Sequence, residues 1–137
     1  MKPLLKSISD GFVLIEVMVV IAIIGILISV IVPSYQQHVL NSYRLEARGE
    51  LLKIASLQQM LFAEQVRYTA DLSELGYDSG SYLMASGRFV VAAQLTADGY
   101  LLTADATGVQ LKDVHCIQFT LDQYGNKESL PSSDCWQ

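Results

Sequence analysis

The chain opens with a short polar stretch and then enters a long apolar segment. Of the 21 residues from 12 to 32, 18 are apolar, and the exceptions are Glu16, Gly25 and Ser29. A run of about 20 apolar residues is long enough to cross a lipid bilayer as a helix. A secretory signal peptide would have a shorter apolar core followed by a small-residue cleavage site, and that pattern is not found here. The sequence therefore predicts one membrane-spanning helix close to the N-terminus.

A second helical pattern continues directly from the first, over residues 34–66. Its apolar residues recur at spacings of three and four, at Tyr43, Ala47, Leu51, Ile54, Leu57 and Leu61. Such spacing draws one face of an amphipathic helix. We expect this face to cover a core, while the charged face meets solvent or neighbouring subunits.

Three strand patterns follow, at residues 88–94, 100–104 and 116–122. The third alternates apolar and polar residues, which is typical of a half-buried strand. The short, turn-rich links between the strands favour antiparallel pairing, and residues 73–86 have the composition of a surface loop. A sheet of three or four strands packed on the amphipathic helix would bury both apolar faces, so the predicted fold class is α+β.

The charge balance disfavours a nucleic-acid-binding protein. Nine Lys and Arg residues face fourteen Asp and Glu residues, and residues 34–137 carry seven bases and twelve acids, a net charge of −5. Proteins that grip phosphates usually present a basic surface. One exception stays open, a local basic patch formed by Arg67, Arg88, Lys112 and Lys127.

The two cysteines are candidates for a disulfide. Lys2 and Lys6 precede the apolar run, so the positive-inside rule leaves the N-terminus in the cytoplasm and the remainder outside. Cys116 and Cys135 then lie where disulfides persist. A bridge would close a loop with 18 intervening residues and contribute roughly 3 kcal/mol of stability. The alternative is two reduced, buried thiols, whereas a redox pair is disfavoured because there is no C-x-x-C motif.

Glu16 is out of place in a simple membrane anchor. A carboxylate at the centre of a membrane helix costs on the order of 3 kcal/mol, and less near its end. A positive partner at similar depth would offset this cost, but the apolar run contains no Lys or Arg. A free α-amino group, with a pKa of about 8, would serve if the chain were cleaved just before the run.

Residues 11–27, GFVLIEVMVVIAIIGIL, resemble the class III signal of type IV pilins and pseudopilins. The resemblance implies that a prepilin peptidase cleaves after Gly11 and that Phe12 becomes the N-methylated first residue. It also implies that Glu16 is needed for assembly and meets the N-terminal amine of a neighbouring subunit. The family further implies a long N-terminal helix on a small antiparallel sheet, and a C-terminal disulfide loop is common in it.

Gly25 and Pro33 fit the same family pattern as assembly residues. Both residue types weaken a helix. For Pro33 two interpretations are open. It is either a helix boundary at the membrane surface, or part of a segment that bends or melts between Gly25 and Pro33 when the helix packs in a fibre.

The resemblance also implies an organisation and a location. Residues 1–11 would be a leader peptide, residues 12–33 a membrane and assembly helix, and residues 34–137 a periplasmic globular domain. The precursor would cross the bacterial inner membrane once and later join an extracellular pilus. The implied partners are other pilin subunits, the prepilin peptidase and methyltransferase, and the pilus assembly platform; nucleic acid is not expected.

Looser motifs in the C-terminal half resemble minor pilins of the PilE type, and they occur at residues 67–72, 100–104, 116–125 and 134–136. One departure is Gln65-Val66, where such proteins often carry Asn-Gly. We therefore expect a structural subunit of a type IV pilus, a minor pilin that primes or modulates assembly in twitching motility, adhesion or DNA uptake. The alternatives are a major pilin, a pseudopilin of a type II secretion system and a DNA-uptake receptor.

Enzymatic chemistry is not expected. The sequence has no nucleophile elbow, no metal-ligand cluster and no glycine-rich phosphate loop, and we expect neither catalytic residues nor a cofactor. His38 and His115 are isolated and suit surface or interface positions. A calcium site is disfavoured, because the spacing of the C-terminal acids is not that of an EF-hand loop and these acids suit turns equally well. They are Asp98, Asp113, Asp122 and Asp134.

Overall fold

The computed structural model describes residues 13–137. Its first element, helix α1, runs over Leu14–Gln65. The apolar and amphipathic patterns are therefore joined in one helix, and Pro33 lies inside it. The interpretation of Pro33 as a helix boundary is thus wrong. The chain divides into two compact units after Gln37.

The described part of the first unit, residues 13–37, is helical from Leu14 onwards and exposed at every residue. Its apolar run passes the criteria of length and composition for a helix that crosses a membrane. Contiguous apolar surface of this extent marks a site of contact with lipid or protein.

The second unit, His38–Gln137, contains a five-stranded antiparallel sheet with its strands in chain order. The strands are β1 (Ser81–Leu83), β2 (Phe89–Leu95), β3 (Tyr100–Ala106), β4 (Cys116–Asp122) and β5 (Lys127–Pro131). This unit also has three short 3₁₀ helices, one before β1, one between β3 and β4 and one after β5, at Leu72–Leu75, Gly108–Lys112 and Ser133–Trp136. This meander needs only short connections, as the turn-rich links predict.

The core forms between the amphipathic part of α1 and one face of the sheet. The strands contribute alternate residues, for example Phe89 and Val91 of β2 and Phe119 and Leu121 of β4. The helix contributes residues of its predicted apolar stripe, namely Ala47, Leu51, Ile54 and Leu61. The ladder between β2 and β3 runs from Phe89 opposite Ala106 to Leu95 opposite Tyr100, and this register keeps the buried set on one face.

The predicted strands correspond to β2, β3 and β4, whereas β1 and β5 were not predicted as individual strands. β1 is only three residues long, too short to show an alternating pattern. β5 ends at Pro131 and buries only Ser129, so it lacks the apolar alternation that marks a strand. Both lie at the edges of the sheet, where short strands and proline are common.

The disulfide between Cys116 and Cys135 is present. It joins the first residue of β4 to the last 3₁₀ helix, with the two Cα atoms 5.8 Å apart. Both cysteines are buried in the core, and the alternative of two reduced thiols is wrong. The bridge therefore fixes the segment after β5 to the start of β4.

Candidate functional site

The residues expected to act in assembly lie in the first unit. Glu16 lies in the first turn of α1, where its backbone N–H donates to the carbonyl of Val13 at 2.9 Å. A carboxylate is favourable there because the helix dipole places partial positive charge at that end. Gly11 and Phe12 lie outside the described residues, so their processing remains a prediction.

Gly25 stands in open space on α1. A Cβ atom added there would meet no neighbouring atom within 4 Å, so nothing inside the described chain requires a glycine at this position. Ser29, another non-apolar residue of the run, donates its hydroxyl to the carbonyl of Ile26 at 2.7 Å. That bond satisfies its polar group within the helix and leaves the outer surface apolar.

In the second unit, a cluster around Glu50 joins α1 to the segment before β2. The hydroxyls of Tyr77 and Tyr82 donate to the same carboxylate oxygen of Glu50, at 2.6 and 2.5 Å. Lys53 donates to that oxygen at 3.3 Å, and the two tyrosine rings stack with centroids 4.6 Å apart. We call these four residues the Glu50 latch.

The electrostatics of the latch favour an ionised Glu50. Burial raises the pKa of the Glu50 carboxyl, but the hydrogen bonds from the two tyrosines and the lysine outweigh burial, so the pKa lies below its ordinary value of 4.5. Burial and the bond to Glu50 raise the pKa of Tyr82 well above its ordinary value of 10.0. At neutral pH the Glu50 carboxylate is therefore ionised and accepts hydrogen bonds from protonated donors. Hydrogen bonds to an ionised acceptor are stronger than those between two neutral groups.

Two further polar pairs attach loops to α1. The fully buried amide of Gln58 donates to the carbonyl of Thr69 at 2.6 Å and accepts from its N–H at 3.0 Å. Arg44 holds the buried carboxylate of Asp113 through two parallel bonds of 2.6 Å. Such bidentate geometry fixes orientation as well as distance.

The four basic residues of the possible DNA-binding patch lie on separate elements. Arg67 follows α1 and pairs with Glu74 at 2.8 Å. Arg88 precedes β2 and lies over the ring of Tyr43, 4.5 Å from its centroid. The remaining two, Lys127 at the start of β5 and Lys112 at the end of the Gly108–Lys112 helix, are exposed, and Lys127 lies 5.5 Å from the centroid of a tryptophan ring.

Other candidate chemistry has structural explanations. Asp113 is neutralised by Arg44, and Asp122 accepts from the N–H groups of Tyr124 and Asn126 to form a turn. Among residues 13–137, no three metal-ligating side chains form a group that could hold an ion. Both histidines are exposed.

The sequence interpretation did not include the Glu50 latch or the Gln58 pair. The burial of Gln58 could have been predicted, because Gln58 continues the apolar stripe four residues after Ile54 and three before Leu61. A polar side chain that is buried there must have a hydrogen-bond partner. The latch joins residues 27 and 32 positions apart, and no local pattern signals such a contact.

Comparisons with known proteins agree on one family. A family model described as "Type IV minor pilin ComP, DNA uptake sequence receptor" matches residues 33–120. The type IV major fimbrial protein FimA of Dichelobacter nodosus is 32% identical over 112 residues, covering 75% of this chain and 69% of that protein. The type IV major pilin PilA of Myxococcus xanthus is 37% identical over 67 residues, but the match spans only 30% of its length.

A solved structure shares the fold. A type IV pilin from Shewanella oneidensis superposes with a TM-score of 0.54 and 22% identity, covering 72% of this chain and 98% of that one. The two chains therefore share a fold over the matched part.

We expect Glu50→Gln to lower the stability of the second unit at pH 7 by about 1 to 3 kcal/mol, because two hydroxyls and an ammonium lose their charged acceptor. Since the pKa of Glu50 is lower in the folded state, its contribution is present above pH 4.5 and is lost as the pH falls through the folded-state pKa. The measurement is thermal unfolding of the full chain in detergent from pH 7 to pH 3. The difference in midpoint temperature between wild type and variant should shrink below pH 4.5.

The matched control is Glu46→Gln, which changes an exposed carboxylate on the same helix. It should leave the unfolding curve nearly unchanged at each pH. If the difference in midpoint temperature between wild type and Glu50→Gln is the same at pH 3 and pH 7, the account of the latch is contradicted.

Proposed function

The chain belongs to the type IV pilin family as a minor-pilin structural subunit of the pilus, and we propose that within the pilus it primes or modulates fibre assembly. The observation that carries this proposal is the contrast between the two units. The second unit closes a core of its own, while residues 17–32 of α1 expose a long apolar surface that carries no charged side chain. Such a surface must be covered from outside, by lipid before assembly and by the helices of other pilin subunits afterwards.

The maturation proposed for the chain follows from its N-terminal motif. A prepilin peptidase would cleave after Gly11, and the same enzyme class would methylate Phe12. The precursor would be held in the inner membrane with its N-terminus inside, and an assembly platform would extract it into the fibre. The chain itself would perform no catalysis.

Glu16 is proposed to set the register between subunits. After cleavage behind Gly11, the new amino terminus would lie four residues from Glu16, at a similar depth in the apolar layer. The amine of one subunit would pair with the carboxylate of a neighbour. In a low-dielectric layer such a pair is strong only when both partners are in place, so an axially misplaced subunit would leave two unpaired charges.

We expect Glu16→Ala to leave a folded, membrane-held protein that enters fibres poorly. The measurement is the amount of the chain in fibres sheared from the cell surface, relative to the amount retained in the membrane fraction. Glu46→Ala is the control, since it removes an exposed carboxylate from the second unit and should not change this ratio. Normal incorporation of Glu16→Ala would defeat the proposed role of Glu16.

A second candidate function is reception of DNA, because the matching family model is described as a DNA uptake sequence receptor. The charges of this chain argue against it. Residues 34–137 carry a net charge of −5, and Arg44, Lys53 and Arg67 each pair with an acidic side chain. Phosphate contacts supply most of the affinity of DNA-binding proteins. The acidic side chains of this chain would repel the phosphates and so weaken binding.

We therefore expect no saturable binding of the purified chain to duplex DNA at physiological ionic strength in a fluorescence anisotropy titration. Saturable binding that weakens with added salt and is lost in Lys112→Gln or Lys127→Gln would instead establish a DNA receptor with a local basic patch. This outcome would leave the structural role in the pilus intact.

A further inference from the structure

The 3₁₀ helix Gly108–Lys112 and the residues just after it expose only apolar and basic side chains. These side chains, named the 109–115 face below, are Val109, Leu111, Lys112, Val114 and His115. The three apolar members are 53 to 64% exposed. This composition is unusual for the surface of a domain that carries a net charge of −5.

The inward side of the same segment explains why the face is free of acid. Residues three apart eclipse each other in a 3₁₀ helix, and Gln110 and Asp113 both point inward and are buried. The amide of Gln110 lies 3.4 Å from the carbonyl of Leu40. The carboxylate of Asp113 is held by Arg44 at 2.6 Å. The only acid of the segment is therefore neutralised against α1, and the orientation of the face is fixed.

The contact with Leu40 limits how far this face can stand from the apolar run. Leu40 comes eight residues after Val32, the last residue of that run. Even a fully extended chain of eight residues reaches only about 28 Å. When the apolar run lies in a bilayer, the 109–115 face is therefore tethered within reach of the lipid headgroups. This step rests on the membrane anchoring proposed above.

We propose that the 109–115 face docks on the surface of an anionic phospholipid bilayer before the subunit enters the fibre. Val109, Leu111 and Val114 would enter the boundary between headgroups and acyl chains, as the apolar side of an interfacial segment does. Lys112 would lie among the headgroups, because long basic side chains place their charge there. The acids elsewhere on the domain are repelled by an anionic surface, which favours this face over others.

A neighbouring protein is the competing occupant of the face, and two observations favour lipid. Lys112 lies among the apolar side chains and residues 108–115 expose no acid, so the face complements a surface with anionic headgroups above an apolar layer. The contact with Leu40 also tethers the face to the end of the membrane-anchored run. The docked state would hold the second unit close to the membrane until α1 is extracted from the bilayer.

The test uses the full chain in nanodiscs that contain phosphatidylglycerol, phosphatidylethanolamine and a lipid with a gadolinium chelate on its headgroup. Backbone amide NMR signals of residues 109–115 should be broadened by the chelate. Signals of Leu83 and Leu95, which are 56 and 57% exposed on β1 and β2, provide the apolar reference and should be broadened much less. Equal broadening at the two places would overturn the proposal.

Variants separate the apolar and the charged parts of the contact. The triple variant Val109→Ser, Leu111→Ser and Val114→Ser should lose the broadening, whereas Leu83→Ser with Leu95→Ser should keep it. Lys112→Gln should lower the docked population about fivefold in nanodiscs with phosphatidylglycerol, because one basic residue near such a surface contributes about 1 kcal/mol. The same change should have little effect in phosphatidylcholine. Unchanged amide shifts in β3 and β4 show that a variant is folded.

The outcomes also separate docking from anchoring. Chain that elutes with nanodiscs but shows no broadening at residues 109–115 overturns docking and leaves anchoring intact. Chain that does not elute with nanodiscs overturns both. Broadening that survives the triple variant, together with reduced entry of that variant into fibres, assigns the face to a neighbouring subunit and overturns the lipid proposal.

Discussion

Residues 14–32 of α1 carry an apolar surface that nothing in the described part of the chain covers, and the proposed function depends on the need to bury it. The sheet packs on the later part of the helix, through Ala47, Leu51, Ile54 and Leu61. Each apolar Å² removed from water stabilises by roughly 25 cal/mol, so lipid or neighbouring helices gain a large free energy by covering the run. In the proposed fibre this helix would supply the cohesion, and the second unit would determine which surfaces the fibre presents.

The second unit is held together by a few specific polar contacts in addition to its apolar core. Its loops are attached to α1 by the Gln58 pair, the Glu50 latch and the Arg44–Asp113 bond. The disulfide attaches the C-terminal segment to β4. In each case a buried or half-buried polar group is paired, as it must be to avoid the cost of desolvation. A subunit whose loops are held in this way can present the same contacts at every position that it occupies.

The sequence was most informative where a single physical period governs a long segment. The stripe of α1 was predicted because helical spacing repeats over several turns, the apolar run was predicted from its length, and β2, β3 and β4 were predicted from their strand patterns. The edge strands β1 and β5 escaped prediction, since three residues and a proline-ended segment carry no clear period. The Glu50 latch escaped for a different reason: Tyr77 and Tyr82 meet Glu50 only after the chain has folded back on the helix. The roles of Gly11, Phe12 and Glu16 rest on resemblance and stay predictions.

The most direct test of the minor-pilin account is quantitative mass spectrometry of fibres sheared from the cell surface, with the N-terminal peptide identified. The account predicts a small fraction of this chain beside a different, abundant subunit, and an N-terminal peptide that begins at methylated Phe12. A dominant signal from this chain would make it the major pilin. Processed chain that is found only in the membrane fraction would contradict a place in the pilus and favour a pseudopilin of a secretion system.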